Sequence, residues 1–172
     1  MDVTIVIPTK NGGERLREVL EIVFAQKTKY EYEVVCVDSG SNDNTIDIIK
    51  GFPCKLYEIA PEEFGHGKTR NYGASKGTGE FIVFLTQDAI PCDDLWLESF
   101  INAMKEEPDA AGGFGIHYPY PDCNELDKRD LKRHFLNFGT ETRAFFIDNY
   151  DLYNSDKGYQ QYLAFSQIII HV

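Results

Sequence analysis

Basic residues are scarce in this chain. Its 172 residues carry 28 Asp and Glu against 17 Lys and Arg, for a net charge of -11 and a pI of about 4.7. The dense basic footprint of a nucleic-acid surface is missing, so nucleic acid is not expected as a partner. A nucleotide stays open, because a helix N-terminus, a single arginine or a metal ion holds a phosphate locally. Cysteine is sparse as well. Cys36, Cys54, Cys92 and Cys123 include no Cys-x-x-Cys pair, which argues against a zinc site. Cys36 stands in an apolar run and reads as a small buried hydrophobe. No apolar stretch approaches a membrane span, and no basic segment followed by an apolar run opens the chain. A cytoplasmic domain is the expectation. Two phosphate-binding fingerprints are also lacking. Gly67-Lys68-Thr69 has Glu62 where a P-loop needs its first glycine, and no Gly-x-Gly-x-x-Gly follows the first strand.

What is present is alternation. Val3 to Ile7 is a β-branched run that stops at Pro8, and Asn11-Gly12-Gly13 reads as a turn. Leu16, Val19, Leu20, Val23 and Phe24 then recur on one helical face. Glu33 to Val37 is a second strand, and Asp38 to Asn44 a polar turn rich in helix-capping residues. Ile46, Ile48 and Ile49 open a second helix, and Cys54 to Ile59 reads as a third strand. Phe64-Gly65-His66-Gly67 reads as a glycine-rich loop, and Lys68 to Lys76 as a helix closed by Gly77 and Gly79. Phe81 to Leu85 is the most apolar strand candidate. A helix from Asp93-Asp94 carries Leu95, Leu97, Phe100, Ile101 and Met104. Ala110 to Ile116 is a strand diluted by glycine, and Asn124 to Phe138 a charged helix. The end, Ser166 to Val172, is β-like, and reads either as a paired strand or as the mark of a truncated domain. Short strands apolar on both faces, alternating with helices, predict an α/β fold with a mostly parallel sheet covered on both faces.

Ligands of such sheets sit beyond the carboxyl ends of the strands. The segments that follow the strands are Pro8-Thr9-Lys10-Asn11, Asp38-Ser39-Gly40-Ser41 and Thr86-Gln87-Asp88-Ala89. A parallel sheet puts them on one edge, where Asp38 and Asp88 could face a common pocket. Asp38 reads either as an acceptor for a base or ribose or as a brace of its turn, with Ser41 and Asp43 better placed as helix caps. Asp88 reads either as a ligand for a hard cation bridging phosphates or as a turn residue. The helix start at His66 to Asn71, with Lys68 or Arg70, reads either as a diphosphate site or as a solvated first turn. Tyr118 to Asp122 is a proline-bearing loop that could reach over a site.

These four segments stand in the order seen in family 2 glycosyltransferases of the GT-A, Rossmann-like fold, which the chain resembles over roughly residues 3 to 138. The residues that carry the resemblance are Val3 to Asn11, Val37 to Thr45, Gly67 to Gly73 and Phe84 to Ala89. Thr86-Gln87-Asp88-Ala89 and the Pro119-Tyr120-Pro121-Asp122 loop look most like the rhamnosyltransferase-type branch. The resemblance implies an inverting transfer from a nucleotide-diphosphate sugar, dTDP- or UDP-linked, to a saccharide or lipid-linked acceptor in cell-surface polysaccharide synthesis. A lipid-linked acceptor implies peripheral association with the inner membrane face. Pro8, Thr9 and Asn11 would line the nucleotide pocket, Asp38 would accept from the base, and Arg70 would lie near the base or diphosphate. Gln87 and Asp88 would complete the donor site, with Asp88 facing Mn2+ or Mg2+ as the last acidic position of an Asp-x-Asp motif. Thr86 occupies the first, which leaves one carboxylate for the metal.

The family's general base is a carboxylate in a C-terminal segment. Asp148, Asp151 and Asp156 do not match that motif, so no catalytic base is assigned. The expectation is therefore a single GT-A domain over 1–172 that lacks its acceptor and base segment. Two other readings stay open. One is a non-catalytic or truncated nucleotide-sugar-binding module. The other is a nicotinamide-dependent oxidoreductase, against which the absent glycine fingerprint stands.

Overall fold

The structure is a computed structural model that describes residues 1–135, 151 and 168–171. The chain forms two compact units, Met1–Gly113 with Ser166–Val172, and Phe114–Phe165.

The first unit is built on a six-stranded sheet. Its strands are β1 (Val3–Thr9), β2 (Tyr32–Asp38), β3 (Cys54–Glu58), β4 (Phe81–Phe84), β5 (Gly112–Gly113) and β6 (Ile168–His171), in the order β3-β2-β1-β4-β6-β5. β1 pairs in parallel with both β2 and β4, and β2 in parallel with β3. β6 is antiparallel to β4 and β5. Within the β-like end of the chain, Ile168–His171 is thus a paired strand. The expected strand over Ala110 to Ile116 shrinks to Gly112–Gly113, because adjacent glycines supply no side chains to pack and are entropically costly to extend.

Helices α1 (Gly13–Phe24), α2 (Thr45–Lys50) and α4 (Trp96–Glu106) share one core with Val3, Ile5 and Ile7 of β1. Leu16, Val19, Leu20 and Val23 of α1 are fully buried there, each contributing about 1.5–3 kcal/mol of transfer free energy. The opposite face carries Val6, Val35, Val37, Ile82 and Phe84, with Ala74 of helix α3 (His66–Ala74) packed against them. Both faces are covered, as the doubly apolar strands require.

Several boundaries differ from the sequence expectation. Helix α3 starts at His66, two residues before Lys68, so the glycine-rich loop is partly helical. Helix α4 starts at Trp96, leaving Leu95 half exposed outside it while the unforeseen Trp96 is buried. β3 ends at Glu58, one residue short of Ile59. β1 does not stop at Pro8 but runs through it to Thr9.

Pro8 is tolerated for a positional reason. In a parallel ladder alternate residues bond to opposite neighbours. The Val6 carbonyl accepts from the Leu85 N–H on the β4 side, and the Thr9 carbonyl accepts from the Ser39 N–H on the β2 side. Pro8 therefore faces β4, beyond the last paired residues Val6 and Phe84, where no donor is needed.

In the second unit, α5 (Glu125–Phe135) is capped by Asn124, whose Oδ1 accepts from the Asp127 N–H at 2.9 Å. Residues 136–138 of the expected helix, and Asp148 and Asp156, lie outside the described residues. The Tyr118 to Asp122 loop belongs to this unit, with Tyr118 strongly exposed.

Candidate functional site at the carboxyl edge of the sheet

The strand order reverses at β1: β2 and β3 extend the sheet to one side, β4 to the other. A crevice outside the carboxyl ends at such a reversal is where open α/β sheets bind ligands. The segments after β1, β2 and β4 do meet at this edge, held by side-chain hydrogen bonds.

Asp38 ends β2 and is 1% exposed. One carboxylate oxygen accepts from the N–H groups of Gly40 and Ser41 at 2.9 and 2.8 Å. The other accepts from the hydroxyls of Thr9 and Ser41 at 3.0 and 2.6 Å. Four donors fill the four lone-pair directions of the group. Gly40 takes φ 86°, a left-handed conformation, and a Cβ there would meet Pro61 at 2.8 Å.

Asn11 is the one non-glycine residue with positive φ, 49°, among the described residues. Asparagine tolerates this region through local hydrogen bonds. Its N–H donates to the Ser41 hydroxyl at 2.8 Å, and its Oδ1 accepts from the Asn42 N–H at 2.9 Å. Ser41 is therefore a clasp between the β1 and β2 segments and not the helix cap expected of it. Asp43 does brace the helix start, accepting from the Thr45 N–H at 3.0 Å. Thr45 in turn caps α1 from outside, its hydroxyl accepting from the N–H groups of Gly12 and Gly13 at 2.8 and 3.1 Å.

Lys10 was not singled out from the sequence, yet it joins all three segments. Its Nζ donates to the carbonyls of Ser39 and Gly40 at 2.9 and 2.5 Å. Its main-chain N–H and C=O are both bonded by the Gln87 amide, at 2.8 and 3.0 Å. Gln87 is half-buried, and the next residue, Asp88, is exposed in a turn closed by the Ala89 N–H on the Thr86 carbonyl. Asp38 and Asp88 therefore share an edge but not an orientation: one is turned inward and saturated, the other is open to solvent.

Helix α3 approaches the same edge. Gly73 lets it lie against β1, since a Cβ there would collide with Val6. Thr69 is buried and Arg70, one residue on, is half-buried. A groove of about 210 Å³ between the end of β3 and α3 is lined by Glu58, Ile59, Glu63, Lys68, Thr69 and Tyr72. That is smaller than the roughly 300–1,000 Å³ usual for organic ligands, so it does not hold a nucleotide sugar alone.

As a metal site, the edge offers the Asp88 carboxylate. Among the described residues no group of three or more His, Cys, Asp and Glu could hold an ion. Magnesium-type cations commonly take one or two carboxylates, with substrate phosphates and water completing the shell. The residues present fit a cation held jointly by Asp88 and a ligand's phosphates.

Comparison with known proteins adds a family to this geometry. The model of the family described as glycosyl transferase family 2 matches residues 4–164. An O-antigen chain rhamnosyltransferase of Salmonella anatum is 34% identical over 140 residues, covering 81% of this chain and 43% of that protein. One from Salmonella typhimurium is 33% identical over 128 residues, 73% of this chain and 40% of that protein. The chain thus spans less than half the length of these relatives. A crystal structure of Staphylococcus aureus TarS (1-349) in complex with UDP-GlcNAc superposes with a TM-score of 0.59 at 25% identity, over 70% of this chain and 37% of that one.

Proposed function

The chain belongs to glycosyltransferase family 2 and has the GT-A fold, and from that premise we propose that its carboxyl edge binds a nucleotide-diphosphate sugar for transfer with inversion to a saccharide or lipid-linked acceptor. The single observation that carries this reading is the junction of the β1, β2 and β4 segments at the strand-order reversal, with Asp88 exposed beside it. The likeness to O-antigen rhamnosyltransferases and to a protein bound to UDP-GlcNAc supports a dTDP- or UDP-linked donor.

In this reading Pro8, Thr9 and Asn11 line the nucleotide pocket, and Pro8 marks where β1 and β4 part to open it. Asp38 serves the base by holding Thr9 and the Gly40–Ser41 turn in place. Direct acceptance from a base N–H requires displacement of one of the two hydroxyls it now holds. Arg70 lies toward the base or diphosphate from α3. Gln87 fixes the loop, and Asp88 holds Mn2+ or Mg2+. When bound, that cation supplies positive charge to the leaving diphosphate. In the transfer, the acceptor oxygen forms a bond to the sugar's C1 as the bond from C1 to the phosphate oxygen breaks. The acceptor proton passes to a base that no described residue is assigned to be.

Calorimetric titration with UDP- and dTDP-sugars in the presence of Mn2+ tests the reading. Saturable binding to the chain that Asp88→Ala weakens at least ten-fold is expected. Absence of heat with every donor, or full affinity in Asp88→Ala, contradicts it.

A further inference from the structure

We propose that the Lys10 ammonium is a fixed cation for the donor's diphosphate, a role that rests on the donor-site reading above.

Position comes first. Lys10 is the first residue beyond β1 and is exposed, past the end of the β1–β4 pairing at Val6 and Phe84. Its main chain is held by Gln87, the neighbour of Asp88, so the lysine and the metal-facing carboxylate belong to one hydrogen-bonded junction. The side chain is fixed too, since Nζ donates to two carbonyls of the β2 turn. An exposed lysine normally loses rotamer freedom when it meets a ligand. Here that ordering precedes the ligand.

The charge argument is independent of position. In the same unit Lys27, Lys29 and Lys55 are neutralised by Asp94, Glu98 and Glu33. Among the described residues no carboxylate lies within ion-pair distance of Lys10. Its partners are neutral carbonyl oxygens, which orient the ammonium without cancelling its charge. An ammonium has three N–H donors, and two are committed to carbonyls, leaving one for a phosphate oxygen.

The charge balance of the site agrees. A nucleotide sugar carries one negative charge on each of its two phosphates, and Asp88 adds a third. One divalent cation leaves one negative charge uncompensated, which falls to the nearby cations, Lys10 and Arg70.

Binding of nucleoside and of nucleoside diphosphate separates this role from a structural one. The chain is titrated with uridine and thymidine, and with UDP and dTDP plus Mn2+, and followed by NMR. Lys10→Met is expected to keep nucleoside affinity within about two-fold and to lose at least ten-fold for the diphosphates, with a shallower salt dependence. Lys10→Arg restores most of the loss. Lys10→Gln, which keeps a neutral donor toward the carbonyls, serves if the methionine variant unfolds, and the same diphosphate-selective loss is expected. Equal weakening toward nucleoside and diphosphate means that Lys10 only shapes the turn, and overturns the proposal. So does unchanged diphosphate affinity. A wild-type chain that binds neither ligand overturns the donor-site reading, and this proposal with it.

Discussion

The Gln87 side chain takes the place of a strand beside Lys10. Its Oε1 accepts from the Lys10 N–H and its Nε2 donates to the Lys10 carbonyl, at 2.8 and 3.0 Å. The main chain of Lys10 faces the β4 side, two residues past Pro8 and four past Val6, in the alternation set by the parallel ladder. The β1–β4 pairing therefore opens at Pro8 and is closed again by an amide side chain.

Gln87→Leu keeps the volume and removes both hydrogen bonds. At about 1 kcal/mol each, the loss is about 2 kcal/mol, or roughly 4–8 °C in Tm for a chain of this size. Donor affinity in Mn2+ is expected to fall together with it, because the Asp88 loop loses its tether. Thermal unfolding and calorimetry check both. A variant with lowered Tm and unchanged donor affinity would show that the tether does not serve the site.

Asp38→Ala leaves two N–H groups and two hydroxyls without their shared acceptor in a buried position. The expected destabilisation is about 3 kcal/mol, read as a Tm loss of roughly 6–12 °C. Asp38→Asn, which keeps one acceptor oxygen, is expected to recover at least half of that. Equal Tm for the alanine variant and the wild type would remove Asp38 from the turn's support.

The opposite edge of the sheet sets an acid limit. Glu33 is nearly buried; burial alone would raise its pKa, but the Lys55 ammonium, the Thr78 N–H and the hydroxyls of Thr4 and Thr78 together hold it at about 2. A depressed folded-state pKa contributes stability above the unfolded value of 4.5, and that stability is lost as pH falls toward 2. The contribution is of the order of 2–3 kcal/mol. Urea unfolding between pH 6 and pH 2.5 is expected to show this loss, and Glu33→Gln to flatten the slope. An unchanged slope in the variant assigns the acid sensitivity elsewhere.

Gly73→Ala forces a methyl group against Val6 and Val37, where α3 meets the sheet. Overpacking of this kind costs about 1–3 kcal/mol. A neighbouring exposed substitution, Asn71→Ala, is expected to be nearly neutral in the same chemical denaturation series.

The fold was legible where periodicity is strong. The α1 face, the buried β2 and β4 runs, and the order of the loops all follow from apolar spacing. The pattern also implied that three loops share an edge, and they do. Less legible was anything set by which neighbour a backbone group faces. Pro8 reads as a stop in sequence, yet sits within β1 because its missing N–H falls beyond β4. Ser41 reads as a cap, yet clasps Asp38 to Asn11. Lys10 stands in the segment after β1, but nothing there marks its part in the junction, which depends on the Gln87 amide 77 residues away. Trp96 was passed over because helix α4 begins two residues later than the Asp93-Asp94 pair suggests.

The central claim is that donor and cation meet at Asp88 on the carboxyl edge of the sheet, and Mn2+ itself reports on it. In an NMR titration with UDP or dTDP, paramagnetic broadening is expected to erase the amide signals of residues 86–89 first and to weaken those of 10–12 and 38–41. Asp88→Asn is expected to abolish the effect. Broadening centred elsewhere, or persisting at full strength in Asp88→Asn, would contradict the account.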